Sequence, residues 1–563
     1  MESNVKLKIN GLRAELSNEI ITIKFDENAN VYSLCKNQME LVKNLSGAAN
    51  DPDKDHSFYV DYHAEGKFRN IKVDALKIIC DTTDEAHIVY HDRSGLLAIE
   101  YHIILKRGES GIYSYVIAQN NARRTFKLSE LRTVYRLDSD IFDVAYTAER
   151  RGRQPVHAQL SRGKKIQDET YELSDGEKYT NGKIYSKYDY AGYFKDNSLW
   201  GQYGHGFGFW FIPASKEYYP SGPMKQELLV HYNAITLNYM TGAHFGTGDF
   251  YVQPDWKKIY GPWFVYINSG TNETVIQDAL VRAGAEEKKW PYKWMKEKLY
   301  PIQRCTVQGR INGGGESSGN MMVVLAKPNV EILRQRADYI FYTQADKEGS
   351  FSLENVRPGE YELYAYATHG DVTETLTQGQ ITISQSNVDL GEIKWCPMMH
   401  AHKLWQIGEA DRTSGEFMFG SELRNYKWHQ MIPKEIDFVI GSSQDKTDWY
   451  YAQTKPGDWR IHFTLQDVKD TTTYYLTVAM AAFTTAKIGT QDGSLVIKVN
   501  ECNVKVIKYP NDQAVYRSAM KSGRYHREKI KLNASYLHIG ENTITLVNHG
   551  SAIMYDTILL ERD

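Results

Sequence analysis

Residues 130–261 concentrate side chains that bind anions or transfer protons. Arg132 and Arg136 stand four residues apart in "ELRTVYRLD", and Lys187 stands among four tyrosines in "GKIYSKYDYAGYF". The stretch "GPMKQELLVHYNAITLNYMTGAHFGTG" adds His231, Tyr239 and His244. Each has an ordinary structural interpretation as a surface ion pair, a solvated amine or a packed ring. Their concentration in one region favours a functional site, because arginine binds carboxylates bidentately and histidine changes charge near neutral pH.

The elements that must position these residues are mostly strands. Apolar and polar residues alternate in "EIITIKF", "HIVYHD", "GIYSYVIAQ" and "TITLVN", which predicts strands bounded by turns. The clearest helix is "NETVIQDALVRAGAEEKKWP", with Asn272 as the expected cap and Pro291 as the stop. The sequence therefore predicts a mostly β protein.

The length of 563 residues predicts more than one hydrophobic core. The helix closes a long β region, so we place a first domain at residues 1–295. Residues 296–395 carry alternating strands and Gly- or Pro-containing turns typical of a seven-strand sandwich of the fibronectin type III kind, which we interpret as a spacer. Residues 396–563 form a third β-rich block of the length expected for a carbohydrate-binding jelly roll.

Composition narrows the function classes. The net charge of −3 provides no basic field for nucleic acid, and no apolar run is long enough to span a membrane. Forty tyrosines and 11 tryptophans suit strands, and they also suit sugar binding, since aromatic rings stack on sugars while offering polar groups. The first residues lack the features of a secretory signal, so we expect a protein that stays inside the cell or one whose leader has been removed.

Common cofactor motifs are missing. There is no phosphate-binding loop, zinc-protease motif, EF-hand or nucleophile elbow. Five scattered cysteines indicate reduced, mostly buried thiols and neither a disulfide framework nor a zinc site. The acidic stretch "NDPDKD" lacks EF-hand spacing and is interpreted as a solvated loop, so we predict no cofactor, although a structural calcium ion remains compatible with the sequence.

Five separated motifs resemble polysaccharide lyase family 4, the rhamnogalacturonan endolyases, in the family order. They are "SKYDY", "GPMKQEL", "GAHFG" followed by "DWKKIYGPWFVYIN", then "LWQIGEADRTSGEF", and finally "IMYDTILLE". The resemblance covers nearly the whole chain. It implies a large catalytic sandwich related to galactose mutarotase, a fibronectin type III-like module and a C-terminal carbohydrate-binding-like jelly roll.

The resemblance also implies a reaction: β-elimination at the rhamnose–galacturonic acid bond of rhamnogalacturonan I. The family's catalytic lysine corresponds to Lys187 and its histidine to His244, and we assign them as base and acid, with the two roles exchangeable. The substrate arginines correspond to Arg132 and Arg136. A substrate tyrosine five residues before the histidine corresponds to Tyr239.

Several alternatives stay open. His231 is the rival for the catalytic histidine, because the alignment across this stretch could slip. The loop "HAQLSRGKKIQDETYELSDGEKYTNGK" does not match the family pattern, so the substrate subsites are undefined. The same fold could carry a glycoside hydrolase or epimerase, or a pectin-oligosaccharide-binding protein without activity. We expect rhamnogalacturonan I or its oligosaccharides as the partner of a monomer, with no membrane or nucleic-acid partner.

Overall fold

The structure, a computed structural model, describes residues 4–43, 56–179, 183–314, 317, 319–384, 386–398, 402–423, 425, 428–485, 493–517, 519 and 521–563. The acidic stretch at residues 50–55 lies outside these ranges. The chain forms two compact units. The first comprises residues 1–243, 248–302 and 334–340, and the second comprises residues 244–247, 303–333 and 341–563.

The first unit begins with a five-stranded antiparallel meander in which each strand pairs with the next. Its strands have alternating polar and apolar residues, and their apolar sides join the core of the unit. The strands are β1 (Lys6–Asn10), β2 (Arg13–Ser17), β3 (Ile21–Phe25), β4 (Val31–Lys36) and β5 (Met39–Glu40).

A six-stranded sheet carries four of the candidate site residues, Arg132, Arg136, His231 and Tyr239. Its order is β22-β23-β12-β6-β7, and β24 also pairs with β12. The strands are β6 (Tyr59–Ala64), β7 (Lys67–Asn70), β12 (Phe126–Arg136), β22 (Val230–His231), β23 (Ile235–Thr241) and β24 (Phe250–Val252).

A nine-stranded sheet, in the order β14-β13-β19-β20-β25-β11-β10-β9-β8, supplies the other large layer. Apolar residues of both large sheets belong to one core cluster, as expected for a sandwich. The strands are β8 (Ala75–Asp81), β9 (Glu85–Asp92), β10 (Leu97–Lys106), β11 (Gly111–Asn120), β13 (Val144–Tyr146), β14 (Arg151–Arg153), β19 (Trp200–Gly204), β20 (Phe207–Ile212) and β25 (Lys257–Ser269).

The loop that did not match the family pattern, residues 157–183, is structured in its described residues, 157–179 and 183. It contains the short helix α1 (His157–Leu160) and contributes to the three-stranded sheet of β15 (Lys164–Gln167), β16 (Thr170–Glu172) and β17 (Ile184–Ser186). Leu160, Leu173 and Tyr185 form a small core of their own. A further pair of strands, β18 (Ala191–Tyr193) and β21 (Gln226–Leu228), follows.

The long helix α2 (Asn272–Lys289) closes the β region as predicted. Its cap is Thr271 and not Asn272, because the Thr271 hydroxyl accepts the Thr274 backbone N–H at 3.3 Å. Buried Val275, Ile276, Ala279 and Ala283 pack against residues on the outer side of the nine-stranded sheet. The helix therefore covers a sheet face that would otherwise expose apolar residues.

The second unit begins with seven strands in two sheets, which is the number that the sequence predicts. One sheet has the order β29-β26-β32 and the other β28-β27-β30-β31. The strands are β26 (Cys305–Gly313), β27 (Met322–Ala326), β28 (Phe341–Gln344), β29 (Ser350–Val356), β30 (Gly359–Tyr366), β31 (Thr375–Ile383) and β32 (Val388–Trp395).

The C-terminal part is a second sandwich, with sheets β33-β41-β36-β39 and β34-β35-β40-β37-β38. Short helices α3 (Trp428–Met431) and α4 (Asp445–Asp448) connect its strands. The strands are β33 (His402–Gly408), β34 (Ile436–Val439), β35 (Gly457–Leu465), β36 (Tyr474–Thr484), β37 (Leu495–Val499), β38 (Cys502–Ile507), β39 (His526–Leu532), β40 (Gly540–Asn548) and β41 (Ala552–Arg562).

All five cysteines are free thiols, but the prediction that they are mostly buried is wrong. Cys305 is buried, whereas Cys396 and Cys502 are exposed. Across the described ranges, no helix has the length and apolar character needed to cross a membrane.

Candidate active site

Strand pairing brings three sequence-distant residues side by side on the six-stranded sheet. Arg132 of β12 lies opposite Asp61 of β6 on one side and opposite Tyr239 of β23 on the other. Since successive side chains of a strand point to opposite faces, neighbouring Leu131 enters the core while Arg132 lies on the other face. Asp61 was missed in the sequence, because its relation to Arg132 depends on a pairing across 71 residues.

The Arg132 guanidinium is bound to Asp61. Its Nε donates to Asp61 Oδ1 at 2.7 Å and its Nη2 donates to Asp61 Oδ2 at 3.1 Å. The remaining Nη1 donates to the Tyr239 hydroxyl at 2.9 Å and lies 3.8 Å from Glu130 Oε2. The bidentate fork expected to meet a substrate carboxylate thus already meets a buried carboxylate, so Arg132 can position Tyr239.

Arg136 is in a different environment, four residues further along the same strand. Its Nε donates to the Tyr59 hydroxyl at 3.1 Å, and its guanidinium carbon lies 5.7 Å from the centre of the Tyr59 ring. In the part of the chain that the structure describes, no carboxylate forms an ion pair with Arg136. Arg136 is therefore the better placed of the two arginines to bind an anionic ligand.

Lys187 begins a short 3-10 turn, Lys187–Tyr190, directly after β17. Ser186 caps this turn by accepting the Tyr188 N–H at 3.3 Å, and the Lys187 N–H donates to the Glu169 carbonyl at 3.1 Å. The Lys187 ammonium lies 5.4 Å from the centre of the Tyr188 ring and forms no ion pair with any described residue. The turn thus fixes the backbone of Lys187 while its amine remains available.

The environment of Lys187 suits a base. Burial lowers the pKa of Lys187, and the positive charge of Arg132 acts in the same direction against the opposing effect of Glu169 and Asp168. A larger fraction of the amine is therefore neutral near physiological pH than for a solvated lysine.

His231 shares the electrostatic environment of these cations. Burial lowers the pKa of His231 well below its ordinary value, and the positive charges of Lys187, Arg136 and Arg132 lower it further. The ring Nδ1 lies 3.2 Å from the Tyr232 carbonyl. The surroundings of His231 therefore disfavour its imidazolium form.

His244 follows the end of β23 and is held by contacts of the second unit. It opens the segment 244–247, in which the Thr247 hydroxyl donates to the His244 carbonyl at 2.6 Å. The Gly246 N–H donates to the Asp512 carbonyl at 3.1 Å. The sequence-based boundary assigns this histidine to the first domain, whereas its segment packs with residues far along the chain. The structure thus brings Arg132, Arg136, Lys187, Tyr239 and His231 into one unit and His244 into the other.

A buried ion pair in the motif "GPMKQEL" also belongs to this region. Lys225 Nζ lies 2.9 Å from Glu227 Oε2, and both side chains are fully buried. Lys225 also donates to the Gly242 carbonyl at 3.2 Å. A Cβ atom at Gly242 would lie 2.3 Å from the Glu227 carboxylate, so a side chain here would displace that buried group. The pair therefore fixes the backbone just after the strand that carries Tyr239.

Within the described ranges, no three His, Cys, Asp or Glu side chains are grouped so as to hold a metal ion. The cationic side chains near Lys187 are instead suited to anions.

Sequence comparisons identify the class of protein. The model of the rhamnogalacturonate lyase family matches residues 2–173, and those of polysaccharide lyase family 4 domains II and III match residues 315–389 and 403–560. Together with the β architecture, these matches define a polysaccharide lyase.

Two rhamnogalacturonate lyases are similar in sequence to this chain over most of its length. A rhamnogalacturonate lyase of Dickeya dadantii (strain 3937) is 41% identical over 559 residues, covering 99% of this chain and 94% of the relative. Rhamnogalacturonate lyase B of Emericella nidulans is 24% identical over 545 residues, covering 82% and 80%. The chain belongs to polysaccharide lyase family 4, the rhamnogalacturonate lyases.

Similarity to solved structures is much weaker. A galactose mutarotase-like protein from Lactobacillus casei aligns at 10% identity over 47% of this chain and 100% of that chain, with a TM-score of 0.26.

Proposed function

We propose that this lyase cleaves the rhamnose–α-1,4–galacturonic acid bond of rhamnogalacturonan I by β-elimination. Lys187 takes the C5 proton of galacturonate, the C4–C5 double bond forms, and the C4–O4 bond breaks. His244 gives a proton to the departing oxygen, so no water is consumed and the new end is a 4,5-unsaturated uronosyl group.

The observation that supports this proposal best is the excess of positive charge around His231. Three cations, Lys187, Arg132 and Arg136, act on its pKa. One of them, Arg132, is neutralised by Asp61 through two hydrogen bonds, whereas Arg136 has no ion-pair partner in the described chain. A galacturonate carboxylate would supply the missing negative charge.

The chemistry explains why the cation is needed. The C5 proton is acidic only because it lies next to a carboxylate, and removing it adds negative charge to a group that is already anionic. Arg136 would stabilise this developing charge through a preorganised fork. Lys187 can accept the proton because burial lowers its pKa.

The choice of acid follows from the two histidines. The surroundings of His231 disfavour its imidazolium form, which is the stronger proton donor. The family resemblance assigns the catalytic histidine to His244, five residues after Tyr239. We therefore propose His244 as the acid and assign His231 no proton-donating role.

The experiment combines product analysis with four variants. Wild-type protein acting on rhamnogalacturonan I should release products that absorb in the ultraviolet, since only elimination creates a double bond conjugated to the carboxylate. Lys187→Ala and His244→Ala should each lower kcat about 10²- to 10⁴-fold. His231→Ala should lower it less, and Lys165→Ala is the matched control, since Lys165 is an exposed lysine of β15, in the same three-stranded sheet as the strand that precedes Lys187.

Two results would contradict the proposal. Products that carry an added water and no double bond would show hydrolysis. A normal kcat for His244→Ala beside an inactive His231→Ala would move the acid role to His231.

A strong chelator should leave turnover unchanged, because Arg136 takes the place of a metal ion at the carboxylate.

A further inference from the structure

An exposed aromatic ring lies at the far edge of the sheet that carries the arginines. Phe68 of edge strand β7 is 49% exposed. Its ring meets the His63 ring of β6 edge-on, with centroids 5.2 Å apart and planes at 85°. The His63 side chain is itself 42% exposed. Singly exposed apolar side chains are common, so the groups around Phe68 decide what its ring can do.

Strand register connects this ring to the arginines. Phe68 lies opposite His63, and His63 lies opposite Glu130 of β12. His63 Nδ1 is 3.9 Å from Glu130 Oε2, and the same carboxylate oxygen is 3.8 Å from Arg132 Nη1. The polar groups thus form a continuous row from the Arg132–Asp61 pair to the exposed ring.

The face of β12 that carries this row, from Arg136 to Glu130, is long enough to bind several sugars of a polymer. Arg136 and Glu130 are six residues apart on one strand, which corresponds to about 20 Å at a rise of ~3.4 Å per residue. One end offers a cation without an ion-pair partner in the described chain, and the other offers an aromatic ring beside His63. A chain in which acidic and deoxy sugars alternate presents carboxylates and apolar faces in the same way.

We infer that Phe68 and His63 form a distal sugar-binding subsite of this lyase. The inference rests on the proposed function and specifies where the substrate chain extends from the cleavage position. The Phe68 ring packs against the apolar face of a rhamnose, whose C–H groups meet the electron-rich face of the ring. His63 and Glu130 bind hydroxyl groups of the adjoining sugar.

The surroundings of Phe68 favour a sugar chain over a protein partner. Lys67 and Arg69 flank Phe68 in β7 and point to the opposite face of the sheet, whereas the face of the ring itself carries His63 and Glu130. A single ring among charged groups does not form the contiguous apolar patch that marks protein docking. Sugar binding needs only one ring and nearby hydrogen-bonding groups.

The test compares kcat/KM for long rhamnogalacturonan with kcat/KM for the shortest oligosaccharides that are cleaved. Phe68→Ala should lower the ratio of these two values about three- to tenfold, because one aromatic contact is lost only with chains that reach the subsite. Phe68→Trp should preserve the ratio. Tyr32→Ala is the matched control, since Tyr32 is 48% exposed but lies on the separate five-stranded sheet.

The outcomes separate this inference from the function on which it rests. An unchanged ratio in Phe68→Ala, with wild-type protein releasing unsaturated products, would refute the subsite alone. The same loss in Tyr32→Ala would also refute it. Absence of unsaturated products from wild-type protein would refute both. Thermal unfolding of Phe68→Ala should match that of Tyr32→Ala, so that a folding defect cannot account for the change.

Discussion

The two arginines of β12 should respond differently to the same substitution. In Arg136→Lys the charge is kept, but an ammonium cannot reproduce the two parallel hydrogen bonds of a guanidinium to a carboxylate. If Arg136 stabilises the developing charge, kcat should fall about 10²- to 10³-fold, as for loss of one donor to a reacting oxyanion. Loss of the bond to Tyr59 should cost about 1 kcal/mol of folding free energy.

Arg132→Lys should instead act mainly on stability. The guanidinium makes two hydrogen bonds to buried Asp61 and one to Tyr239, and a lysine can replace one of these three. Hydrogen bonds to charged groups contribute about 1.5–3 kcal/mol each, so a loss of about 3 kcal/mol in the free energy of unfolding is expected. The fall in kcat should be smaller than for Arg136→Lys.

The assay pairs steady-state kinetics on rhamnogalacturonan with urea denaturation of each variant. Arg124→Lys provides the control, because Arg124 forms an exposed pair with Glu65 at 3.4 Å, and such pairs contribute little. The reasoning would be refuted if Arg136→Lys kept its kcat, or if Arg132→Lys were as stable as wild type.

The remaining predictions concern buried charges. Lys187→Met should stabilise the protein most at low pH, because the folded wild type holds a buried ammonium whose pKa is lowered by burial. The gain in the free energy of unfolding should shrink as pH rises toward the unfolded pKa of lysine. A gain that grows with pH in urea denaturation would contradict this prediction. Lys225→Met should cost about 3–5 kcal/mol, because it removes the ammonium that lies 2.9 Å from the fully buried Glu227 carboxylate. The double variant Lys225→Met/Glu227→Leu should recover most of that loss, and denaturation of both variants tests it.

Local sequence patterns predicted the elements of the fold well. Alternation identified strands such as β9 and β11, and apolar spacing with a terminal proline identified α2. The predicted cap of α2, Asn272, was one residue too far along the chain. Thr271 and Asn272 are both good capping residues, and only the observed hydrogen bond distinguishes them.

The arrangement of the site was less accessible, because it depends on pairing between distant strands. The residue types of Arg132 and Arg136 are visible in the sequence, but their different partners are not. Asp61 was embedded in "FYVDYHA", where a single acid between apolar residues is a signal of a buried ion pair that could have been used. The packing of segment 244–247 with the second unit has no local sequence signal.

Strand β12 divides its residues between two tasks. Leu131 and Tyr135 fill the core, whereas Arg132 and Arg136 lie on the opposite face. Substitutions on one face can therefore accumulate over evolution almost independently of those on the other. Insertion or loss of one residue would exchange the two faces, removing the core and the arginines together. The register shift against β6 between Leu128 and Glu130 is the place where this strand already accommodates an extra residue, so related enzymes should tolerate length changes there and not between the arginines.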